Sequence, residues 1–343
     1  MSRSIPTPVP VPRLGSGRWL VVANPAAGAV TEELVESLVS TAGELAGSAD
    51  VRWTGAAGDA TRMAASAAGA ADPEPVAVLA VVGGDGTARE AADGLARGLG
   101  RWPAGHPGGP GAAGGGAGPA LLVLPAGTGN STARALWGHL SAADVLQAVA
   151  DGGCRVRQLD LIRLVEDDRA VALGASSGLI ADVTRVAAGF PDVRGRERYH
   201  RALGEVLSRP APYPGRVSVD GTVLQDGPTL LVTVGGGRHR VGTFEVLPRS
   251  VLDDGLLDVC VIDGGLPPAA VGELAPHVMS GTHVGRRGVA YAQGRRVTIE
   301  RTDGRPLPFE SDGEVRPGDG TAVTLEIVPA AVPVLAPVDP VAG

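Results

Sequence analysis

The sequence predicts an α/β protein in two parts, an N-terminal parallel-sheet α/β domain and a C-terminal antiparallel β-sandwich domain. Three observations carry this. Strand-like and helix-like segments alternate from Arg18 to about residue 150, the order that yields a parallel sheet covered on both faces. Glycine-rich turns follow three of the expected strands, on the sheet edge where open α/β folds bind ligands. After Gly153 the pattern changes to short alternating or β-branched runs separated by Gly, Asp and Pro, as in antiparallel sandwiches. A chain of 343 residues accommodates two domains, at roughly 100–200 residues each.

Residues 1–17 hold Pro6, Pro8, Pro10 and Pro12 and no continuous apolar stretch, so they read as a disordered arm and not as a signal peptide. Residues 19–23 form a buried strand, and 31–45 a helix with Glu32 and Glu33 in its first turn, where the helix dipole favours acids. A second strand covers 51–54, and Asp59 is placed to cap a helix running to about Ala71. The apolar run 76–82 is that of a central parallel strand, with a helix over 87–99 after it. Residues 103–118 contain eight Gly and three Pro and read as a flexible insertion without chemistry. A fourth strand at 121–124 leads into a helical stretch reaching about Ala150. The first domain is thus 18–150 and the second 151–328, with strands at 156–164, 216–219, 230–234, 257–262, 296–299 and 322–328 and one helical stretch near 199–207. The end of the second domain is free to return to the first. Residues 329–343, rich in Pro, Ala and Val, read as a loose tail.

Composition excludes several chemistries. All 30 basic residues are Arg. A Walker A loop, a protein kinase and a Schiff-base enzyme each need a Lys. A net charge of -7 and 3% aromatic residues disfavour nucleic-acid binding. Cys154 and Cys260 lie far apart with no CxxC spacing and are expected as buried reduced thiols. The six His show no HExxH spacing, and no apolar run is long enough to span a bilayer.

The chemistry is concentrated in the three turns: Asn24-Pro25-Ala26-Ala27-Gly28, Gly83-Gly84-Asp85-Gly86-Thr87, and Pro125-Ala126-Gly127-Thr128-Gly129-Asn130. Glycines let backbone amides approach a phosphate, and such loops bind anions without Lys. Any one of them could be an ordinary tight turn. The second also places a carboxylate among phosphate donors, which makes sense if a divalent cation sits between them. Together they point to a nucleoside triphosphate site.

These motifs resemble the diacylglycerol kinase catalytic domain family, which includes bacterial soluble lipid kinases and sphingosine kinases. The resemblance rests on GGDGTxxE from Gly83 to Glu90, PxGTGNxxAR from Pro125 to Arg134, and NPxxG from Asn24 to Gly28. Thr54 and the Asp59-Ala60 helix start extend it. So do Leu252-Asp253-Asp254-Gly255-Leu256-Leu257-Asp258, with a DDGxLD-like turn, and Asp312-Gly313-Glu314 in a late DGE-like motif. It implies ATP and Mg2+ as cofactors, with the nucleotide between the two domains and surrounded by Asn24, Thr54, Gly83, Gly84, Asp85, Gly86, Thr87, Gly127, Thr128, Gly129 and Asn130. Asp85 would organise Mg2+ through water and Asp160 would belong to the same network. Asp254, with the Leu256 carbonyl, would form a structural magnesium site or else a plain Asx turn. Glu314 would be the base at the acceptor hydroxyl, with Asp312 beside it.

Two positions depart from the family pattern. Ser131 stands where the family usually has Asp, which removes one negative charge from the metal network, and Ala26 and Ala27 replace a basic residue that Arg134 could supply. The resemblance therefore implies an ATP-dependent lipid kinase, with an NAD kinase-like small-molecule kinase and a nucleotide-binding regulator without turnover as alternatives. It further implies a cytoplasmic protein with a lipid substrate. Arg185, Arg194, Arg196, Arg198, His200 and Arg201, interleaved with Val186, Phe190, Tyr199 and Leu203, read either as a basic patch for transient contact with an anionic inner membrane face or as a solvated, salt-bridged surface. Strand pairing between two copies is left open.

Overall fold

The computed structural model describes residues 17–69, 75–103, 118–190, 192–193, 195–240, 244–316 and 318–338, with backbone only at 195 and 196. Apart from residues 17, 103 and 118, the N-terminal arm and the Gly/Pro insertion lie outside the described residues. The chain divides into two compact units, Met1–Leu159 with Ala330–Gly343, and Asp160–Pro329.

The first unit begins with β1 (Arg18–Ala23), α1 (Glu32–Ala46), β2 (Ala49–Trp53), α2 (Asp59–Ala68), β3 (Val76–Gly83), α3 (Asp85–Gly98) and β4 (Ala120–Pro125). Sheet order within it is β4-β3-β1-β2, all parallel. β1 and β3 are buried almost throughout, which their continuous apolar sequences require; each such side chain contributes roughly 1.5–3 kcal/mol on burial. Thr31 caps α1 by accepting the Leu34 amide at 3.1 Å. α2 and α3 pack closely through small residues: a Cβ at Gly98 would stand 2.7 Å from the Ala65 carbonyl.

Asp59 does not cap α2. Gly58, in the left-handed region at φ 84°, is the N-cap, and the Asp59 carboxylate turns back to accept the Gly55 and Ala56 amides at 2.7 and 2.8 Å. The helical stretch expected up to Ala150 is two helices, α4 (Ser131–Trp137) and α5 (Ala142–Ala150). They are broken at Gly138 and restarted by a capping box between Ser141 and Asp144.

Next come β5 (Cys154–Leu164), β6 (Arg169–Val171), β7 (Gly174–Gly178), α6 (Leu179–Ala188), α7 (Gly195–Ser208), β8 (Tyr213–Val219), β9 (Thr222–Gly235), β10 (Leu257–Asp263) and α8 (Pro268–Met279). β11 (Val289–Gly294), β12 (Arg296–Arg301), β13 (Phe309–Ser311), β14 (Glu314–Val315) and β15 (Ala322–Pro337) complete the chain. Two expectations are corrected here. The boundary placed at residue 150 falls at 159/160, because β5 starts in the first unit and ends in the second. The tail from Pro329 is not loose as far as it is described. It continues β15 to Pro337, pairs Val334 with Leu121 in parallel, and buries Val332, Val334 and Leu335 completely. There β15 lies between β4 and β5 in the sheet.

The second unit is an antiparallel sheet in the order β14-β13-β7-β9-β8-β12-β15, with β10 on β9 and β11 on β10. One face of β7, β9 and β10 packs into a core with Val217, Val297, Ile299 and Leu325. The opposite face is covered by α6 and α8, two helices that the alternating strand texture did not announce. Val186, Phe190, Tyr199 and Leu203, expected to interleave a basic surface, pack inward against Val183, Ala187 and Ala202. Arg201 and Arg198 lie over the Phe190 and Tyr199 rings, and Arg185 pairs with Asp182.

Candidate functional site

In the first unit the three glycine turns follow β1, β3 and β4, at the carboxyl edge of the parallel sheet. Side chains tie them together. Asn24 Nδ2 donates to Thr87 Oγ1 at 2.9 Å, and Asn24 Oδ1 accepts the Ala26 amide at 2.9 Å. Asn130, held at φ 52°, accepts the Gly127 amide and donates to the Gly127 carbonyl, both at 2.8 Å. The backbone of Ala126 reaches the Gly83 carbonyl at 3.2 Å, and Ala29 reaches Ala126 at 3.1 Å. Thr54, nearly buried, donates its amide to Ala23 at 2.9 Å.

Glycine is required where these turns meet. A Cβ at Gly127 would run into the Gly84 Cα, and one at Gly129 would stand 2.7 Å from Asp85 Oδ2. Asp85 is the first residue of α3, and its Oδ1 accepts the Thr132 amide at 2.8 Å. It thus braces the second turn against the third while its other oxygen faces Gly129. α1 and α5 have their first amides capped by Thr31 and Ser141, whereas α3 has no side-chain cap. Its free N–H groups therefore remain for an anion.

In the second unit, Asp312 Oδ2 accepts the Ala172 amide at 2.7 Å, and Oδ1 accepts Leu173 and Gly174 at 3.0 and 3.4 Å. Asp312 itself sits at φ 48°. Glu314 is the exposed acid of the same turn and pairs with Arg169 at 2.6 Å. Asp160 Oδ2 accepts the Gly255 amide at 2.7 Å, so it is bound to the turn that carries Asp254. Asp254 Oδ1 accepts the Leu256 amide at 3.1 Å, the geometry of the Asx turn. Asp258, the last acid of that motif, is completely buried and accepts Tyr291 Oη at 2.7 Å and Gln293 Nε2 at 3.1 Å.

Among the described residues no three acid, His or Cys side chains converge as a metal cage. The acids fit a cation of another kind. Mg2+ keeps most of its water and takes one or two carboxylates plus substrate phosphates, and Asp85, with one oxygen committed to Thr132, has that chemistry. Two charged groups went unrecognised in the sequence. Glu310 is buried in β13, two residues before Asp312, and Arg240 is buried near it. Neither sits in a recognisable spacing, since Glu310 is on β13 and Arg240 is in the loop after β9, about 70 residues apart in sequence.

Residues 18–164 match the diacylglycerol kinase catalytic domain, and 174–336 match the YegS C-terminal NAD kinase beta sandwich-like domain. The chain is 29% identical over 324 residues to a "Probable lipid kinase YegS-like" of Xanthomonas euvesicatoria, covering 92% of this chain and 95% of that protein. It is 29% identical over 233 residues to a diacylglycerol kinase of Mycobacterium tuberculosis, covering 63% and 69% respectively. The crystal structure of a diacylglycerol kinase from Bacillus anthracis has the same fold, with a TM-score of 0.64 at 18% identity over 93% of this chain and 96% of that one.

Proposed function

This chain belongs to the diacylglycerol kinase catalytic-domain family, and we propose that it transfers the γ-phosphate of ATP to the hydroxyl of a lipid such as diacylglycerol. The observation that carries the lipid part is a cavity of about 50 Å3 in the second unit, lined only by apolar side chains. Leu203 of α7, Leu274 and Val278 of α8, Leu231 of β9, Ile262 of β10 and Phe244 form much of its wall. Apolar cavities stay dry and favour hydrocarbon, at about 0.8 kcal/mol per buried methylene.

The sheet face beneath that cavity changes character along the strands. Side chains alternate, so Leu231 and Thr233 share a face, as do Ile262 and Cys260. Register carries the polar side of this face from Thr233 to Ser176 and on to Glu310, at the start of the Asp312–Glu314 turn. A lipid with its chain over Leu231 would have its polar end toward that turn.

In phosphoryl transfer, charge spreads over the phosphate oxygens and catalysis is mainly positioning and electrostatics. The backbone amides of the three glycine turns hold the triphosphate, as Lys-free loops can. Asp85 would hold the Mg2+ that accompanies it. When bound, that cation neutralises charge on the β- and γ-phosphate oxygens. Glu314 takes the proton of the acceptor hydroxyl, and Asp312, through its three amides, keeps the turn in place. The Asp254 turn is assigned a structural role.

The test is incubation with γ-labelled ATP and Mg2+ against dioleoylglycerol, fractionated cell lipids and NAD, read by mass spectrometry. A phosphorylated lipid is expected. Phosphorylation of NAD alone, or nucleotide binding without transfer to any acceptor, would overturn the reading.

A further inference from the structure

The second unit contains two buried charged groups that the mechanism above leaves unused. Glu310 is 2% exposed and Arg240 is 6% exposed. Glu310 Oε2 accepts the Gly313 amide at 2.9 Å, while Oε1 has no hydrogen-bond partner. Arg240 reaches the Val234 carbonyl through Nη2 at 3.4 Å, and its Nε has no partner. Room for the guanidinium is made by absent side chains. A Cβ at Gly235 would stand 2.9 Å from Arg240 Nη2, and one at Gly174 would collide with it. Gly174 also donates its amide to Asp312 and accepts the Asp312 amide at 3.0 Å. The cation, the buried acid and the turn therefore share one corner of the β7–β9–β13 sheet.

We propose that Glu310 and Arg240 are positioning residues for the Asp312–Glu314 turn, Glu310 by holding the Gly313 N–H and Arg240 by compensating the buried carboxylate that does so. The inference rests on the assignment of this turn to the acceptor side. A carboxylate accepts an N–H roughly twice as strongly as a neutral group does, but isolated charge is not tolerated away from water. Burial pushes the Glu310 carboxyl above its usual range, and the neighbouring Asp312 adds to that push. Arg240, the Gly313 amide and the Ser176 hydroxyl act in the opposite direction. Arg240 and Asp312 are the charged groups that face Glu310 from the neighbouring elements.

The experiment uses the full chain and four variants: Arg240→Met, Glu310→Gln, the two combined, and Asp312→Asn. The first readout is hydrogen exchange at the Gly313 amide, which needs no substrate. Each single Arg240 or Glu310 variant is expected to lose protection there by tenfold or more, with the β12 amides unchanged. The double variant, which buries no lone charge, is expected to return to within about threefold of the parent. In the unmutated chain, protection at Gly313, corrected for intrinsic exchange, should fall as the pH drops from 8 to 4 and Glu310 protonates. This arm decides even where a variant does not fold. Protection unchanged in Arg240→Met, a double variant no better than the singles, or a flat pH profile would each overturn the proposal.

The second readout is turnover with ATP and dioleoylglycerol. kcat is expected to fall at least tenfold in the single variants, with both KM values within threefold, and to recover in the double variant. If Asp312→Asn abolishes turnover and Arg240→Met leaves it intact, this inference fails alone. If Asp312→Asn leaves turnover intact, the assignment of the turn to the acceptor fails, while exchange at Gly313 still decides on the charge pair.

Discussion

The glycine turns of the first unit and the acidic turn of the second are both held rigid, by opposite means. In the first unit the groups offered to a ligand are main-chain amides, and the side chains serve as braces: Asn24 on Thr87, Asn130 on Gly127, and Asp85 on the Thr132 amide. In the second unit the groups offered are carboxylates, and main-chain amides do the bracing, three of them on Asp312 and one on Glu310. The difference teaches how each region should fail. An amide-built site is damaged by adding a Cβ where backbones touch. A carboxylate-built site is damaged by removing a charge or its counter-charge.

The largest expected effect tests Asp85, the acid that braces one glycine turn against another. Asp85→Ala should lower kcat by on the order of a hundredfold or more. Near-normal lipid phosphorylation by that variant would remove Asp85 from the chemistry. Gly127→Val places a side chain against the Gly84 Cα. It should lower kcat/KM for ATP by roughly tenfold to a hundredfold, the scale of a misplacement of about 1 Å. Steady-state kinetics with varied ATP checks this, and an unchanged value would mean that the turns do not form the nucleotide site. In the second unit, Leu274→Trp fills the apolar cavity. Loss of space for about two methylenes should raise the lipid KM about tenfold, leaving the KM for ATP alone. A rise in both would blur the division between the units.

Smaller effects sharpen the same comparison. Thr31→Ala removes the α1 cap and should lower stability by about 1 kcal/mol in denaturant titration, with turnover preserved. Thiol chemistry reports on each unit separately, because Cys154 belongs to the first and Cys260 to the second. Both are buried; burial pushes the Cys154 thiol up and the Cys260 thiol up to about 12. Neither should react with a disulfide reagent at pH 8 until denaturant is added. Early reaction of Cys154 alone would show that the first unit opens more readily.

The sequence by itself determined the parallel α/β half, the positions of its three glycine turns and the antiparallel texture that follows. Those features depend on local chemistry: apolar runs, turn glycines and acids at helix starts act within a few residues of themselves. It misjudged Asp59, whose carboxylate serves the preceding loop, and it missed α6 and α8, whose apolar faces have meaning only against the sheet they cover. Tertiary structure alone decided that the Pro-rich end is a buried strand paired on both sides, that Asp312 is locked by amides about 140 residues away in sequence, and that Glu310 lies near Arg240. Those outcomes depend on strand register across long separations, and no local spacing encodes which side chains a register will bring together.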